Sequence, residues 1–570
     1  MIRPPRFLSL LCLASACLLP QLATAAKQTV CTITINSADE QKAFRKFLPA
    51  DKYDFVELVE RNRPDWLGSA CEAKVSCDML VISGHYGEGN EFFSDVMEIR
   101  ESLSIGELER VSCSGSCPNL FANLKEVYLF GCDTLNPNAQ RTASAEIVRS
   151  LVREGRSPAE AVRLAREMHA ARGESSRDRM RLVFKDVPVI YGFSSAAPLG
   201  PVAASSLNQF FQSGGASQVG KGHVSGGLLR QFSAQGLASA RGMTAGDSLA
   251  GMRKDVCMFA DDRLSEAQRL QALHELMQRP TAQARLLLDR VERYTAGLDK
   301  AKRQQPEVAQ ALARIAADGS AKDRYLAFAR DADEPRTRAR MVNVAHALGW
   351  LSPEQRVDEL ALLFKDLLAR KAIAPTEVDL ACAVNKDRSL DKALQPVAAG
   401  GRREDDVGHS AVRACLGGDD AHDRTLEGLV STDDADVRIA QVYLRHRPIA
   451  DASELRTVTR AIAAMNGSEA QTRALDVLAR HYLSDREIVS TLQQLFARTR
   501  SSSVQNAIAG VLIRADADAI ATTDLLRTLR ENRLKSSSGG NMVEALIQRL
   551  QLSSARRPDA SLAELRNRSR

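Results

Sequence analysis

The chain of 570 residues is poor in aromatic side chains and has no long apolar run beyond its first 26 residues. Phe, Trp and Tyr make up 5% of it, and Trp66 and Trp350 are its two tryptophans. Stacking platforms for bases need several exposed rings, so this composition argues against them. A bilayer-spanning helix needs about 20 consecutive apolar residues, so no transmembrane span is expected after that first segment.

A large excess of charge of one sign is also lacking. The formal net charge is +6, and the charges are spread along the chain, so no nucleic-acid partner is predicted. With 44% hydrophobic and 26% charged residues, the chain is neither disordered in bulk nor collagen-like. The sequence contains no HExxH motif and no strong histidine–cysteine metal spacing, so neither a metal nor a cofactor is predicted.

The segment Met1–Ala26 has the pattern of a secretory signal peptide. Arg3 and Arg6 precede the apolar stretch Phe7–Leu19, and Ala23-Thr24-Ala25 supplies the small residues that a signal peptidase requires. The pattern predicts cleavage near residue 25 or 26 and a periplasmic or secreted protein. Lipidation at Cys17 is the less favoured alternative, because apolar Leu18-Leu19 follows it and no leucine stands three residues before it.

Cysteine usage fits export, where disulfides form and persist. Two of the eleven cysteines lie in the signal segment, which leaves an odd number, so at least one thiol stays unpaired unless it bridges two molecules. Cys71 with Cys77, Cys113 with Cys117 and Cys382 with Cys415 are close enough in sequence to pair, but spacing alone leaves the connectivity open. The nine remaining cysteines are Cys31, Cys71, Cys77, Cys113, Cys117, Cys132, Cys257, Cys382 and Cys415.

Residues 27–200 alternate between strand-like and helix-like patterns. This alternation predicts an α/β sandwich with a mostly parallel sheet. The predicted strands are Thr29–Ile35, Asp78–Ser83, Glu126–Phe130 and Val187–Phe193. The predicted helices are Ala38–Leu48, Ser104–Ser112, Ala143–Glu154 and Ser157–Ala171.

Residues 201–260 are rich in Gly, Ser and Ala and are predicted to form a loop-rich connector. Within them, Gly215–Gly222 nearly matches a phosphate-binding loop. Gly222 stands where a magnesium-binding Ser or Thr is needed, and no strand is predicted before the loop. A flexible linker is therefore favoured over a nucleotide site.

From residue 261 to 570 nearly every periodic segment has the apolar spacing of an amphipathic helix. Short related segments begin at Val412, Val437, Thr472 and Val504. Their separations are typical of helix pairs stacked as a solenoid, and the segments resemble degenerate HEAT repeats. Such repeats are expected to bind a protein partner, and an irregular helical bundle is the alternative.

The residues with the clearest chemical potential are His85 and Cys132. Each follows an apolar predicted strand directly, and residues beyond the carboxyl ends of neighbouring parallel strands emerge in one crevice. A thiol is mostly protonated at neutral pH, so a nearby imidazole is useful as a base, an ion partner and a later proton donor. Backbone N–H groups of Gly87 and Cys132 are candidates for stabilising an oxyanion, and acyl transfer at a peptide carbonyl is the predicted reaction.

The order of these motifs resembles that of caspase-like (clan CD) cysteine peptidases over about residues 29–200. Ser83-Gly84-His85-Tyr86-Gly87 resembles the metacaspase histidine motif with one residue inserted, and Phe130–Thr134 is similar to the cysteine motif of the CHAT branch. Leu103–Leu108, Leu151–Met168 and Val189–Phe193 are similar to three further segments of that branch. The resemblance implies a caspase-like fold, with Cys132 as the nucleophile and His85 as the general acid and base.

Two departures from the family pattern affect the expected site. Tyr86 separates the histidine from Gly87, which affects the oxyanion donor of that loop. Asp133 is placed to orient a basic substrate side chain, although capping a following helix is the commoner role for such a residue. The sequence therefore predicts an exported cysteine peptidase acting on a protein or peptide through His85 and Cys132. The alternative is an inactive caspase-like and HEAT-like binding scaffold.

Overall fold

A computed structural model describes residues 27–58, 67–87, 91–94, 101–138, 144–170, 175–399, 406–479, 481, 483–520, 523–534 and 542–555. The predicted signal segment lies outside these residues. The chain divides into two compact units, Met1–Tyr294 and Thr295–Arg570. No helix within the described ranges is long and apolar enough to cross a membrane.

The first unit contains short strands interleaved with helices. Its described strands are β1 (Gln28–Thr34), β2 (Tyr53–Glu57), β3 (Met79–Ser83), β4 (His85–Gly87), β5 (Glu91–Phe93), β6 (Ser102–Ser104), β7 (Glu126–Phe130), β8 (Val189–Phe193) and β9 (Leu237–Ala240). Its described helices are α1 (Asp39–Phe47), α2 (Gly68–Glu72), α3 (Ile105–Cys113), α4 (Ser144–Arg153), α5 (Pro158–Ala170), α6 (Ser176–Val183), α7 (Gly200–Gln212), α8 (Gly226–Gln231), α9 (Ala250–Ala260), α10 (Glu266–Gln278) and α11 (Thr281–Leu286). Helix α12 (Leu288–Ala296) begins in the first unit and ends two residues into the second. All four predicted strands and all four predicted helices of the α/β region are thereby confirmed.

The main sheet is mostly parallel, as the alternation of strands and helices predicts. Its six strands lie in the order β2-β1-β3-β7-β8-β9, and β9 alone runs antiparallel to its neighbour. A second sheet of three short antiparallel strands, β4-β5-β6, is inserted between β3 and β7 along the chain. These strands had no clear signal in the sequence, since each has three residues.

Helices cover both faces of the main sheet. Strands β3, β7 and β8 are buried over their whole length, which is why they read as continuous apolar runs. Alternate side chains face opposite sides: Met79 and Val81 pack with Phe44 of α1, whereas Leu80 and Ile82 lie in the core that includes α3. The sheet is therefore the middle layer of an α/β sandwich.

Four disulfides form among the cysteines after the signal segment. They are Cys31–Cys77, Cys71–Cys117, Cys113–Cys257 and Cys382–Cys415. The last pairing is confirmed, but the two short-range pairings, Cys71 with Cys77 and Cys113 with Cys117, are wrong. Sheet adjacency explains the first bond, because Cys31 lies in β1 and Cys77 lies two residues before the neighbouring strand β3. Four such bonds fit an oxidising compartment outside the cytoplasm.

The predicted connector at residues 201–260 is instead part of the first unit. Helix α7 packs against α1, and Leu207 and Phe210 of α7 lie in the core on that face of the sheet. Strand β9 pairs with β8 as the last strand of the sheet. Helices follow one another from α9 onward, but the second compact unit starts only at Thr295, later than the predicted boundary at residue 261. The small side chains of residues 201–260 give only a weak periodic pattern, so the sequence did not indicate that this region packs into the first unit.

The second unit is helical throughout its described residues. Its helices are α13 (Lys300–Gln304), α14 (Pro306–Ala316), α15 (Gly319–Arg330), α16 (Pro335–Ala347), α17 (Pro353–Leu368), α18 (Pro375–Val384), α19 (Asp391–Ala398), α20 (Val407–Cys415), α21 (His422–Gly428), α22 (Asp434–His446), α23 (Ala452–Ala464), α24 (Ser468–Leu478), α25 (Arg486–Arg498), α26 (Ser502–Leu512), α27 (Ala517–Ile520), α28 (Thr523–Glu531) and α29 (Met542–Ala555). Helix α20 packs on α22, α22 on α24 and α24 on α26, while α23 packs on α25.

Candidate active site

His85 and Cys132 leave the same edge of the main sheet from neighbouring strands. Strands β3 and β7 pair in parallel with Ser83 opposite Phe130, and the Gly84 N–H donates to the Phe130 carbonyl at 3.2 Å. Each of the two predicted residues comes two positions after its strand's last paired residue. Neighbouring strands lie about 4.8 Å apart, so the backbones of His85 and Cys132 emerge side by side.

Gly131 allows this close approach. A Cβ atom at position 131 would lie 2.9 Å from the Gly84 carbonyl oxygen and 2.9 Å from the Tyr86 Cβ. Real Cβ atoms do not come so close to backbone atoms, so only glycine at position 131 lets the loop before Cys132 lie against Gly84 and Tyr86. The glycine before Cys132 therefore fixes the distance between the two loops.

The histidine is carried by β4, and its orientation follows from strand alternation. Tyr86 is 5% exposed and packs against Phe92, with ring centroids 5.0 Å apart. Successive strand side chains point to opposite faces, so half-buried His85 faces away from that core. The His85 ring lies 5.5 Å from the Phe93 ring, which supports the imidazole from one side.

The residue inserted into the family pattern is thus a core residue. Tyr86 fills the space behind the histidine, and burial raises the pKa of its hydroxyl above the usual value. Gly87 follows on the same strand face as His85, where a Cβ atom would lie 3.1 Å from the Phe93 ring. The role of Gly87 as an oxyanion donor stays a prediction.

Cys132 is the one free cysteine among the described residues, and it is half-buried. Its Sγ accepts a hydrogen bond from the backbone N–H of Ala197 at 3.3 Å. Ala197 belongs to the segment after β8, so a second loop of the sheet edge contacts the sulfur. This contact joins residues far apart in sequence, and no local pattern could have indicated it.

The loop after Cys132 is pinned to β8. Asp133 has a left-handed backbone with φ 56°, and its N–H donates to the Ser195 carbonyl at 2.8 Å. Buried Thr134 accepts the Phe193 N–H at 3.1 Å and donates to the Gly131 carbonyl at 3.1 Å. These bonds hold the cysteine loop rigid at the strand end.

Asp133 takes part in its own turn. Its Oδ1 accepts a hydrogen bond from the side-chain amide of Asn136 at 2.9 Å, and the residue is half-buried. The carboxylate stabilises the turn after the cysteine rather than the first turn of an α-helix. Its assignment to a substrate pocket stays a prediction.

The glycine-rich loop that resembles a phosphate site binds a carboxylate of the protein itself. Backbone N–H groups of Gly220, Lys221 and Gly222 donate to Glu126 at 2.8–2.9 Å, and Tyr128 donates its hydroxyl to the same carboxylate. Glu126 starts β7, so this loop lies at the opposite edge of the sheet from Cys132. The N–H groups that would hold a phosphate donate to Glu126 instead, which argues against a nucleotide site in this loop.

No protein family, curated protein or solved structure compared with the chain matches it.

A buried acid that the sequence analysis missed lies next to Ser83, the last residue of β3. Glu40 in the first turn of α1 is 3% exposed, and its Oε2 has no hydrogen-bond partner within the described part of the chain. Burial raises its pKa from 4.5 to about 7, although its own backbone N–H and the Ser83 hydroxyl lower it. Ser83 is two residues before His85. The available signal was an acid on the buried stripe of α1, in line with Ala43 and Phe44.

We expect Glu40→Gln to raise the free energy of unfolding at pH 8 by about 2–3 kcal/mol. Folded Glu40 keeps its proton up to about pH 7, whereas the unfolded side chain loses it near its ordinary value. The stability that the protonated Glu40 carboxyl group gives the wild type is therefore complete below about pH 4.5 and is lost as the pH rises through about 7. The measurement is urea unfolding at pH 4 and pH 8, and hydrogen exchange in peptides from β3 reports the unfolding. An equal difference between variant and wild type at both pH values would contradict the assignment.

Proposed function

We propose that the chain is an exported caspase-like cysteine peptidase, with Cys132 as the nucleophile and His85 as its general acid and base. The observation that carries the proposal is the parallel register of β3 and β7, which brings both residues to one sheet edge. Neither residue is sealed from solvent, since both are half-buried.

The chemistry of the cysteines supports this assignment. Eight of the nine cysteines after the signal segment are paired, and the unpaired one is the residue that the motif selects. A partly exposed thiol that is kept out of disulfides is available as a nucleophile. The mostly parallel sheet with helices on both faces also supports the caspase-like resemblance.

In the first half-reaction the thiolate of Cys132 attacks the carbonyl carbon of a peptide bond. The new C–S bond converts the carbonyl oxygen into an oxyanion, for which backbone N–H groups of Gly87 and Cys132 are the candidate donors. Protonated His85 then gives its proton to the leaving nitrogen as the C–N bond breaks. The products are a thioester on Cys132 and a free amine.

In the second half-reaction water hydrolyses the thioester. Neutral His85 takes a proton from the attacking water, the C–S bond breaks, and the proton returns to the leaving sulfur. The Ala197 N–H is already directed at that sulfur, so it meets the negative charge on the thiolate in both half-reactions. The cycle consumes one water and needs no cofactor.

The second unit is proposed to be a HEAT-like solenoid that binds a protein partner. Equivalent contacts recur along it: the buried side chains of Gln471 and Gln505 each donate to a carbonyl 9 residues earlier. Arg498 and Arg514 each donate to a carbonyl 35 residues earlier. Repeated contacts between successive helices are the expected pattern of a stacked array.

The test is cleavage of a complex peptide mixture by the chain from Lys27 onward, followed by mass spectrometry. We expect new peptide ends with the wild type and none with Cys132→Ala. Because the thiol is half-buried and makes one described hydrogen bond, the substitution should leave the fold intact, which circular dichroism checks. Identical cleavage by both forms would show that Cys132 is not the nucleophile, and no cleavage by either would support the binding scaffold instead.

A further inference from the structure

Three metal-ligating side chains meet on the second unit. His422 and Asp423 begin α21, and Glu454 lies in the first turn of α23. One ligand atom from each residue lies within 4.8 Å of those of the other two. An imidazole and two carboxylates form a donor set suited to Zn²⁺ and related divalent ions. Folding alone creates this cluster, since no short motif in the sequence contains all three residues.

The imidazole of His422 is oriented as in a metal ligand. Its Nδ1 lies 2.6 Å from the Tyr443 hydroxyl oxygen, and its Nε2 lies 2.8 Å from Oε1 of Glu454. Metal-bound histidines nearly always use their second nitrogen for a hydrogen bond that fixes the ring. Tyr443 is 3% exposed, so α22 holds its hydroxyl in place. The other nitrogen, Nε2, thereby faces the carboxylate of Glu454.

We propose that His422, Asp423 and Glu454 bind one divalent cation of the Zn²⁺ class, with water completing its coordination. Without the metal, a proton lies between Nε2 and Glu454, and the cation replaces that proton. Ligand bonds of about 2.0–2.1 Å at tetrahedral angles separate two ligand atoms by about 3.3 Å. The gap of 2.8 Å must therefore open by about 0.5 Å. The side chains of His422 and Glu454 are 30% and 27% exposed, which leaves them room to move.

The position of the site gives the cation a structural effect. His422 and Asp423 are on α21 and Glu454 is on α23, so a bound ion connects two helices that flank α22. A ligand that binds only the folded state raises the unfolding temperature.

The second unit offers a matched control. The Nε2 of His446 also lies 2.8 Å from a carboxylate oxygen, that of Asp379, but the third partner there is Arg336. A guanidinium repels a cation, so His446 has the same hydrogen bond without a metal-binding donor set. Comparing His422→Ala with His446→Ala thus separates metal ligation from the loss of any histidine.

The experiment is calorimetric titration of Zn²⁺ into the full chain from Lys27 onward. All forms carry Cys132→Ser, which removes the thiol as a competing ligand and makes the result independent of the proposed peptidase activity. We expect one site that His422→Ala abolishes, that Glu454→Gln and Tyr443→Phe weaken by at least tenfold, and that His446→Ala leaves unchanged. Zn²⁺ should also raise the unfolding temperature of the His446→Ala form but not that of the His422→Ala form. Equal binding by both histidine variants, or no binding by the unsubstituted cluster, would show an ion pair only and overturn the proposal.

Discussion

Replacing Glu126 with Ala is expected to lower the free energy of unfolding of the first unit by about 3–5 kcal/mol. The carboxylate is fully buried and accepts three backbone N–H groups besides the Tyr128 hydroxyl. With Ala at 126 the Gly220 N–H and the Tyr128 hydroxyl stay buried without this acceptor, and each such loss costs about 1–3 kcal/mol. The loop that closes the amino edge of the sheet should then open. Hydrogen exchange at Gly220–Gly222, and urea unfolding followed on peptides from β7, measure the effect.

Glu57 provides the control for this prediction. Its carboxylate also accepts several hydrogen bonds, from Thr32, Thr34 and Gln41, but the residue is exposed on β2. Water can replace an acceptor at an exposed position, so Glu57→Ala should cost about 1 kcal/mol or less. Equal losses for the two variants would contradict the account of the glycine loop as a buried anion site filled by Glu126.

Replacing His85 with Ala is expected to lower the rate of peptide cleavage by 10²–10⁴-fold, the range that general acid–base catalysis supplies. In the proposed mechanism the imidazole deprotonates the thiol, protonates the leaving amine and activates water, so its loss would affect every proton transfer of the cycle. Added imidazole should restore part of the rate, because the ring's place against Phe93 becomes a cavity open to solvent. Initial rates on a cleaved peptide from the mixture provide the measurement.

The histidine experiment needs a variant that changes a histidine elsewhere in the first unit. His223 is exposed, and the hydrogen bond it accepts from the Tyr191 hydroxyl goes to its backbone carbonyl. His223→Ala keeps that bond and should cleave at the wild-type rate. If His85→Ala also cleaves at that rate, His85 is not the acid and base, and the assignment fails.

The sequence was informative where local patterns determine structure. Apolar runs in the sequence predicted β3, β7 and β8. The candidate pair, His85 and Cys132, was identified because these residues follow two of those runs. The sequence was uninformative where contacts between distant parts of the chain determine the structure. Strand β9 is the small-residue segment Leu237–Ala240, which has little strand preference and forms by pairing with β8.

The same division applies to the candidate site. His85 and Cys132 follow from order and strand ends, but the Ala197 N–H on the sulfur comes from a loop 65 residues away. The disulfide partner of Cys113 is Cys257, 144 residues away, which spacing could not indicate. The lone thiol followed from an odd cysteine count, whereas its identity required the folded chain.

Thiol reactivity tests the central claim most directly. The chain from Lys27 onward is alkylated with iodoacetamide without reductant, and the rate at Cys132 is measured by mass spectrometry near neutral pH. The account predicts that Cys132 reacts several-fold faster than free cysteine and that His85→Ala slows it to the rate of an ordinary thiol. A wild-type rate equal to that of free cysteine, unchanged by His85→Ala, would contradict it.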